Sequence, residues 1–189
     1  MEEEKLTNPN SSPENHPAEI PEPGGEHPFG DAGQIICLLV FLAVWILDSF
    51  VFRFSDFLAH GIPFPFRVFA ALLFLVSGIY LANSGHRAVF HGHHTEPRLI
   101  MDGAFAHVRH PLYLAALLFY LFLFCLTLSL SSLIVFLGCF FFYNYIAAYE
   151  ERRLEVRYGE DYRGYRAQVP KWIPRFRSAF TRNGGNPPD

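Results

Sequence analysis

Cysteine is scarce in this sequence and never occurs as a C-x-x-C pair. The only three cysteines among 189 residues, Cys37, Cys125 and Cys139, all lie inside apolar stretches, where they are most simply small buried hydrophobic residues. This excludes a disulfide framework and a thiolate metal site. The sequence also has no G-x-G-x-x-G turn and no alternation of strand and helix patterns, which excludes a Rossmann-type nucleotide site.

The first 33 residues lack any apolar periodicity. They contain six prolines, eight acidic residues and a single lysine. Because such a segment buries too little surface to offset its ordering entropy, residues 1–33 are predicted to be a disordered, solvated acidic tail. The segment has neither a basic n-region nor a short apolar h-region, so we expect no signal peptide. Residues 179–189 are predicted to be a second disordered tail.

Long apolar blocks occupy the middle of the chain. The composition is 51% hydrophobic and 17% aromatic, with 21 phenylalanines. A helix needs roughly 20 apolar residues to cross the hydrocarbon core of a bilayer. Four blocks approach this length, at residues 35–52, 64–81, 112–128 and 133–149. They predict an all-α integral membrane protein with about four transmembrane helices. The alternative, a soluble helical core, is disfavoured because polar alternation is absent across most of the blocks.

The distribution of lysine and arginine predicts the orientation. Two of these residues, Arg53 and Arg67, lie from the end of the first helix to the first turn of the second, three lie between the second and third helices, none between the third and fourth, and nine from Arg152 onward. Cytoplasmic loops of membrane proteins have an excess of positive charge. Both termini are therefore expected in the cytoplasm, at the bacterial inner membrane or the endoplasmic reticulum.

A histidine-rich loop follows the second helix, with His86, His91, His93 and His94. Its H-x-H-H spacing lacks a helical i, i+4 pair, and Glu96 is the only nearby carboxylate. We therefore predict an interfacial loop rather than a metal site.

The third and fourth helices are joined by only a few residues, 129–132, so they are expected to form an antiparallel hairpin. This hairpin brings two polar clusters to the same side of the membrane, Arg109 to Tyr113 and the pair Glu150 and Glu151. Residues 150–158 are predicted to continue as a charged helix that stops at Gly159, and residues 160–169 to form a short helix. Lys171 and Trp172 are predicted to be an interfacial anchor.

These clusters are parts of two longer motifs, which run in order along the second half of the chain. Both motifs resemble the isoprenylcysteine carboxyl methyltransferase family and the related phospholipid methyltransferases. The matching positions are Leu99, Gly103, Phe105, Arg109, His110, Pro111 and Tyr113, then Glu150, Glu151, Leu154, Tyr158, Gly159, Tyr162, Tyr165, Val169, Pro170 and Pro174. The resemblance implies an integral membrane enzyme that uses S-adenosylmethionine. The apolar blocks place the first two helices and a cytoplasmic loop in residues 34–98, and the resemblance, which covers residues 99–174, places the catalytic core in residues 99–178.

The resemblance also implies a site. Its cofactor-binding residues would be Pro97, Arg98, Leu99, Ile100, Phe105, His110, Pro111, Leu112, Tyr113 and Glu150, and its catalytic residues Arg109, His110 and Glu151. His110 would meet the carboxylate of S-adenosylmethionine, Glu150 its ammonium, and the ring of Tyr113 or Phe105 the adenine or the sulfonium. Because the sulfonium is already a leaving group, methyl transfer requires alignment and exclusion of water rather than a metal.

One position departs from the family pattern. Ile146 stands where prenylcysteine enzymes typically have an arginine that meets the acceptor carboxylate, and no lysine or arginine occurs between Arg109 and Arg152. We therefore predict a lipophilic or small acceptor that is neutral or cationic, with the bilayer as a partner and no nucleic acid. The alternatives are prenylcysteine carboxyl methylation itself, an NADPH-dependent sterol-type reductase, which shares the Arg-His-Pro-x-Tyr element, and a non-enzymatic membrane scaffold.

Overall fold

The computed structural model describes residues 30–55, 57–90 and 99–174, and it is all-helical over these ranges. The four main helices are α1 (Gly30–Ile46), α2 (Phe64–Phe90), α3 (Pro111–Thr127) and α4 (Leu130–Gln168). A π-helical segment, Leu47–Phe52, continues α1, and the connections contain the short 3₁₀ helices Phe57–His60 and Gly103–Ala106. The predicted all-α membrane fold is confirmed. Residues 1–29 and 179–189, most of the two predicted tails, lie outside the described residues.

Three helical stretches are long and apolar enough to cross a membrane, Gly30–Phe52, Phe64–Val89 and Leu130–Gln168. The third predicted span, α3, is apolar but has only 17 residues. Large apolar side chains such as Phe50, Phe69 and Ile134 are exposed on the outside of the bundle, as expected for surfaces that face lipid. In α4 the apolar part ends at Tyr149. The charged part from Glu150 onward lies outside the membrane-spanning segment.

Two helix boundaries differ from the prediction. Helix α1 begins at Gly30, so residues 30–33 are helical and the predicted disordered tail is wrong at its end. Asp31 lies in this first turn, where a negative charge is favourable at the helix N-terminus. Helix α2 continues to Phe90, nine residues beyond the predicted end, because its last turns pack on α3 through Gly85.

Helix α2 packs most extensively on α3, through small residues. A Cβ atom added to Gly78 would lie 3.3 Å from the carbonyl oxygen of Ala115, and one added to Gly85 would lie 3.1 Å from the side chain of Leu112. Small residues let helix backbones approach closely where no hydrophobic effect drives association. On the other side, α1 packs on α4, and the buried rings of Phe41, Tyr120 and Tyr143 fill the space among α1, α3 and α4.

The predicted hairpin of α3 and α4 is confirmed, and its turn is tight. Leu128 adopts a left-handed conformation with φ 54°, and Ser129 caps α4 by accepting a hydrogen bond from the backbone N–H of Ser132 at 3.1 Å. The turn is tied to α1 by the buried carboxylate of Asp48. This carboxylate accepts from the backbone N–H groups of Phe54 and Ser55, both at 3.1 Å, and from the hydroxyls of Ser55 and Ser129.

The charged part of α4 bends at Gly159, whose φ of 52° and ψ of −122° are not helical. This is the residue where the sequence predicts a helix end. Beyond the bend, the buried residues Tyr162, Tyr165 and Val169 pack against Leu99 and Met101. The chain then turns back toward α3, because the backbone N–H of Arg109 donates to the carbonyl of Pro170 at 3.0 Å. We call residues 169–174 the return segment.

Candidate functional site

The start of α3 positions the first polar cluster. His110 is the residue before the helix, and Pro111 is its first residue, a position where the missing N–H of proline has no cost. His110 has φ −125° and ψ 66°, outside the helical region, so the chain changes direction immediately before α3. Arg109 and His110 therefore lie at the N-terminal end of α3 and beside α4. Their side chains are 11% and 7% exposed, respectively.

His110 lies between the two glutamates of α4. Its Nε2 atom is 3.1 Å from Oε1 of Glu151, and its Nδ1 atom is 3.6 Å from Oε2 of Glu150. The Nε2 atom is within hydrogen-bond distance of Glu151, whereas Nδ1 is only in electrostatic contact with Glu150. The ring is also stacked on Tyr113, with centroids 5.6 Å apart and planes 6° from parallel. The two predicted clusters therefore form one site.

Glu150 is the more accessible of the two glutamates, with a side chain 22% exposed. It accepts a hydrogen bond from the hydroxyl of Tyr113. This contact, together with the ring of His110, orients the Glu150 carboxylate at the edge of the site, where a ligand cation can reach it.

Glu151 is buried and faces Arg109, whose Nη1 atom is 3.2 Å from Oε1 of Glu151. Burial alone would raise the pKa of Glu151. The hydrogen bond from His110 and the positive charges of Arg109 and Lys171 outweigh burial, so the pKa lies below its ordinary value of 4.5. A carboxylate with a lowered pKa is a weak proton acceptor. These contacts favour a positioning role for Glu151, and its predicted part as a catalytic base stays a prediction.

The guanidinium of Arg109 is not fully hydrogen-bonded by the described residues. Its Nη1 atom is held in the ion pair with Glu151, but its buried Nε atom has no hydrogen-bond acceptor among the described residues. The buried hydroxyl of Tyr162 lies close enough to Arg109 and Glu151 for both to act on it, and it has no aligned hydrogen-bond partner in the described part of the chain. Buried polar groups are normally satisfied, so these two donors can each take an acceptor from a ligand.

The return segment closes one side of the site. The indole N–H of Trp172 donates to Oδ1 of Asn144 at 3.2 Å, and Nζ of Lys171 donates to the carbonyl of Asn144, also at 3.2 Å. The Trp172 ring lies 6.0 Å from the ring of His110 and 5.7 Å from that of Phe140. Trp172 therefore shields the cluster on the side of α4.

The other predicted cofactor-binding residues lie at different places. Pro111 is buried, and Leu112 points toward Gly85 of α2 rather than toward the glutamates. The carbonyl of Phe105 accepts from the hydroxyl of Tyr165 at 2.7 Å. Leu99 packs on the cluster that contains Tyr165, and Ile100 is half-buried. Pro97 and Arg98 lie outside the described residues.

The predicted histidine-rich loop also lies mostly outside the described residues. His86 is exposed near the end of α2, and His91, His93, His94 and Glu96 belong to the undescribed part. Within residues 30–55, 57–90 and 99–174, no three histidine, cysteine or acidic side chains are grouped as metal ligands.

Four residues that contact the cluster were not predicted from the sequence to lie there: Asn144, Tyr162, Lys171 and Trp172. Tyr162 belongs to a quoted motif, but nothing in its spacing showed that its hydroxyl is buried near Arg109. In comparisons with known proteins, no family model matches the chain, and no curated protein or solved structure matches it significantly.

Proposed function

We propose that this protein is an integral membrane methyltransferase that uses S-adenosylmethionine and acts on a lipophilic acceptor at the cytoplasmic membrane surface. The observation that supports this most strongly is that His110 lies between Glu150 and Glu151, although 41 residues separate it from Glu151. These are the residues of the His-Pro-x-Tyr and Glu-Glu motifs on which the family resemblance rests. A solvated helix end would not bury a histidine between two carboxylates.

The described side chains fit the charged parts of S-adenosylmethionine. The Nε–H group of Arg109 and the hydroxyl of Tyr162, both buried without an aligned partner among the described residues, are suited to its carboxylate. Glu150, at the accessible edge, is suited to its ammonium, and the rings of Tyr113 and Trp172 offer π faces to the sulfonium or the adenine. The sequence assigns the carboxylate to His110. Because both ring nitrogens of His110 face glutamates, we assign the carboxylate to Arg109 and Tyr162 instead.

The cofactor, when bound, supplies a methyl group on a sulfonium that is already a leaving group. The chain contributes alignment, exclusion of water and control of charge. Glu151 fixes Arg109 and His110, and Trp172 covers the cluster. A protonated amine has no lone pair, so it must give up a proton before its nitrogen attacks the methyl carbon. We assign His110 to take that proton at Nδ1, which lies 3.6 Å from Oε2 of Glu150, beyond hydrogen-bond distance.

An apolar groove supports a lipophilic acceptor. It has a volume of about 310 Å³ and runs between α2 and α3, where Gly78, Ala82 and Ala115 line it. The groove reaches Leu112 in the first turn of α3, so an apolar tail in it would extend to the end of α3 at which His110 lies.

For the acceptor head we propose an amine. Position 146, where prenylcysteine enzymes have an arginine, is a buried isoleucine, 1% exposed. The apolar part of α4 therefore offers no cation of its own to an acceptor carboxylate, because no lysine or arginine occurs between Arg109 and Arg152. The pair of glutamates favours a cation instead.

Calorimetric titration of the folded protein in detergent tests the cofactor. We expect S-adenosylhomocysteine to bind and NADP not to bind. A heat of binding with NADP alone would favour the reductase alternative. The absence of binding by either ligand, in protein whose cooperative melting shows that it is folded, would favour a scaffold and contradict the proposal.

A further inference from the structure

The return segment brings a lysine to a site where α4 offers no cation. Lys171 is half-buried, and its Nζ atom donates to the carbonyl of Asn144. The ring of Trp172 lies 5.7 Å from the same Nζ. The lysine is thus fixed by contacts of its own ammonium with Asn144 and Trp172. The preceding residue, Pro170, is fixed by the hydrogen bond from the backbone N–H of Arg109. Lys171, which the sequence predicts to be part of an interfacial anchor, is therefore held in place beside α4.

The Lys171 ammonium has donors left for a ligand. An ammonium has three N–H donors, and the Asn144 carbonyl takes one. No carboxylate among the described residues lies within 4 Å of Nζ, although Glu151 acts on it electrostatically. Burial lowers the pKa of Lys171, and the positive charges of Arg109 and Arg166 lower it further against the effect of Glu151. A ligand anion would relieve this cost.

We propose that Lys171 binds an anionic oxygen group of the acceptor, so the acceptor is an amphiphile with an anion close to the atom that receives the methyl group. This inference rests on the proposed function. The amine of such a molecule would face Glu150, and its anion would face Lys171. A phospholipid with an amine headgroup has this order of charges, because its phosphate follows its amine.

The residue that supplies the cation therefore differs from the one expected in the family. The carbonyl that holds Lys171 belongs to Asn144, in the last apolar turns of α4. A lysine from the return segment thus brings a positive charge to a part of α4 that has no lysine or arginine before Arg152.

Methyl transfer kinetics test the specificity that Lys171 should provide. The acceptors are phosphatidylethanolamine and octadecylamine, which has an amine and an apolar chain but no phosphate. We expect Lys171→Met to raise the KM for phosphatidylethanolamine about tenfold and to leave the KM for octadecylamine unchanged. Lys171→Arg should retain most of the affinity. Arg152→Met, which removes an exposed cation from α4, is the matched control. Equal changes for both acceptors would overturn the inference.

A second measurement does not depend on turnover. The chain has only two lysines, Lys5 and Lys171, so acetylation of each can be followed by mass spectrometry. The full-length protein in detergent is first mixed with S-adenosylhomocysteine and a low mole fraction of phosphatidylethanolamine, palmitate or diacylglycerol. It is then pulsed with acetic anhydride. We expect an anionic amphiphile to slow acetylation of Lys171 several-fold without affecting Lys5, and diacylglycerol to have no effect.

Protection by phosphatidylethanolamine identifies the bound anion as a phosphate, and protection by palmitate identifies it as a carboxylate. Equal acetylation of Lys171 in all three lipids would overturn the inference even where S-adenosylhomocysteine binds normally. Failure of the proposed function is a different result, since it is the loss of S-adenosylhomocysteine binding itself. The two outcomes are therefore distinguishable in the same preparation.

Discussion

At the level of single residues, the two adjacent glutamates differ because their surroundings differ. Glu151 is buried against Arg109 and His110, whereas Glu150 lies at the edge with Tyr113 as its hydrogen-bond donor. The first is positioned to hold the site together, and the second is positioned to meet a ligand.

The roles of Glu150 and His110 can be tested by substitution. Glu150→Gln and His110→Ala should each weaken binding of S-adenosylhomocysteine about tenfold to a hundredfold, because a lost charge-assisted contact costs roughly 1.5–3 kcal/mol. Glu160→Gln is the control, since Glu160 is 84% exposed and pairs only with Arg163 among the described residues. Calorimetry gives the three affinities. Equal small effects at all three positions would reduce the cluster to a solvated helix end.

Acid should destabilise the protein through Glu151. Its pKa is lowered on folding, so its contribution to the free energy of unfolding is fully present above pH 4.5 and is lost as the pH falls through the folded value. We expect the melting temperature to drop below pH 4.5. Glu151→Gln should be less stable at pH 7 and should show a smaller drop. An identical pH profile in the two proteins would show that Glu151 is not involved.

The site residues that sequence could predict are those in motifs on either arm of the hairpin. Arg109, His110, Tyr113 and the two glutamates meet because a short turn makes the arms antiparallel. Lys171 was not predictable as a site residue, because its position depends on tertiary contacts that bring the return segment back to α4. Leu112 was placed in the site by its motif, but the rotation of α3 turns it toward α2.

At the level of helices, close contact between α2 and α3 depends on small residues. Gly78→Val should force the helices apart, because even its Cβ atom would lie 3.3 Å from the carbonyl oxygen of Ala115. Gly138→Val is the matched control, because a Cβ atom there meets nothing within 4 Å and the change in helix propensity is the same. We expect a clearly lower melting temperature in detergent for the first variant alone. Similar melting of both would show that the helix contact tolerates separation.

The stability of the hairpin turn between α3 and α4 depends on Asp48. Asp48→Ala would leave the hydroxyls of Ser55 and Ser129 and two backbone N–H groups without their acceptor, at a cost of about 3 kcal/mol or more. Asp31→Ala, which removes an exposed acid from the same helix, should cost far less. Thermal melting compares the two, and equal melting temperatures would contradict a clamping role for Asp48.

Helix existence followed from the sequence more reliably than helix ends. The four apolar blocks coincide with α1 and its π-helical continuation, α2, α3 and the first part of α4, although the third block runs one residue past the end of α3. Gly159 marks the bend in α4 where a glycine stop was expected. The end of α2 was placed too early because residues 82–90 are not apolar throughout. Packing on α3 stabilises this part of the helix, and the apolar pattern of one segment contains no information on contacts with another.

At the level of the whole molecule, the residues that fasten the helices together and the residues of the proposed site lie at opposite ends of the bundle. One end is closed by Asp48 and the serines of the hairpin turn, and the other gathers Arg109, His110 and the glutamates under the return segment. The lipid-facing surface between them is apolar. This arrangement suits a reaction in which the acceptor stays in the bilayer while its polar head meets a soluble cofactor.

Methyl transfer itself tests the central claim most directly. The purified protein is reconstituted in vesicles of phosphatidylethanolamine with S-adenosylmethionine labelled with tritium in its methyl group, and the label in the extracted lipid is counted. We predict that label enters the lipid fraction with the wild-type protein and with Glu160→Gln, and that Glu150→Gln and His110→Ala reduce the rate at least tenfold. No transfer by folded wild-type protein to phosphatidylethanolamine, octadecylamine or a prenylcysteine, or equal transfer by all four proteins, would contradict the account.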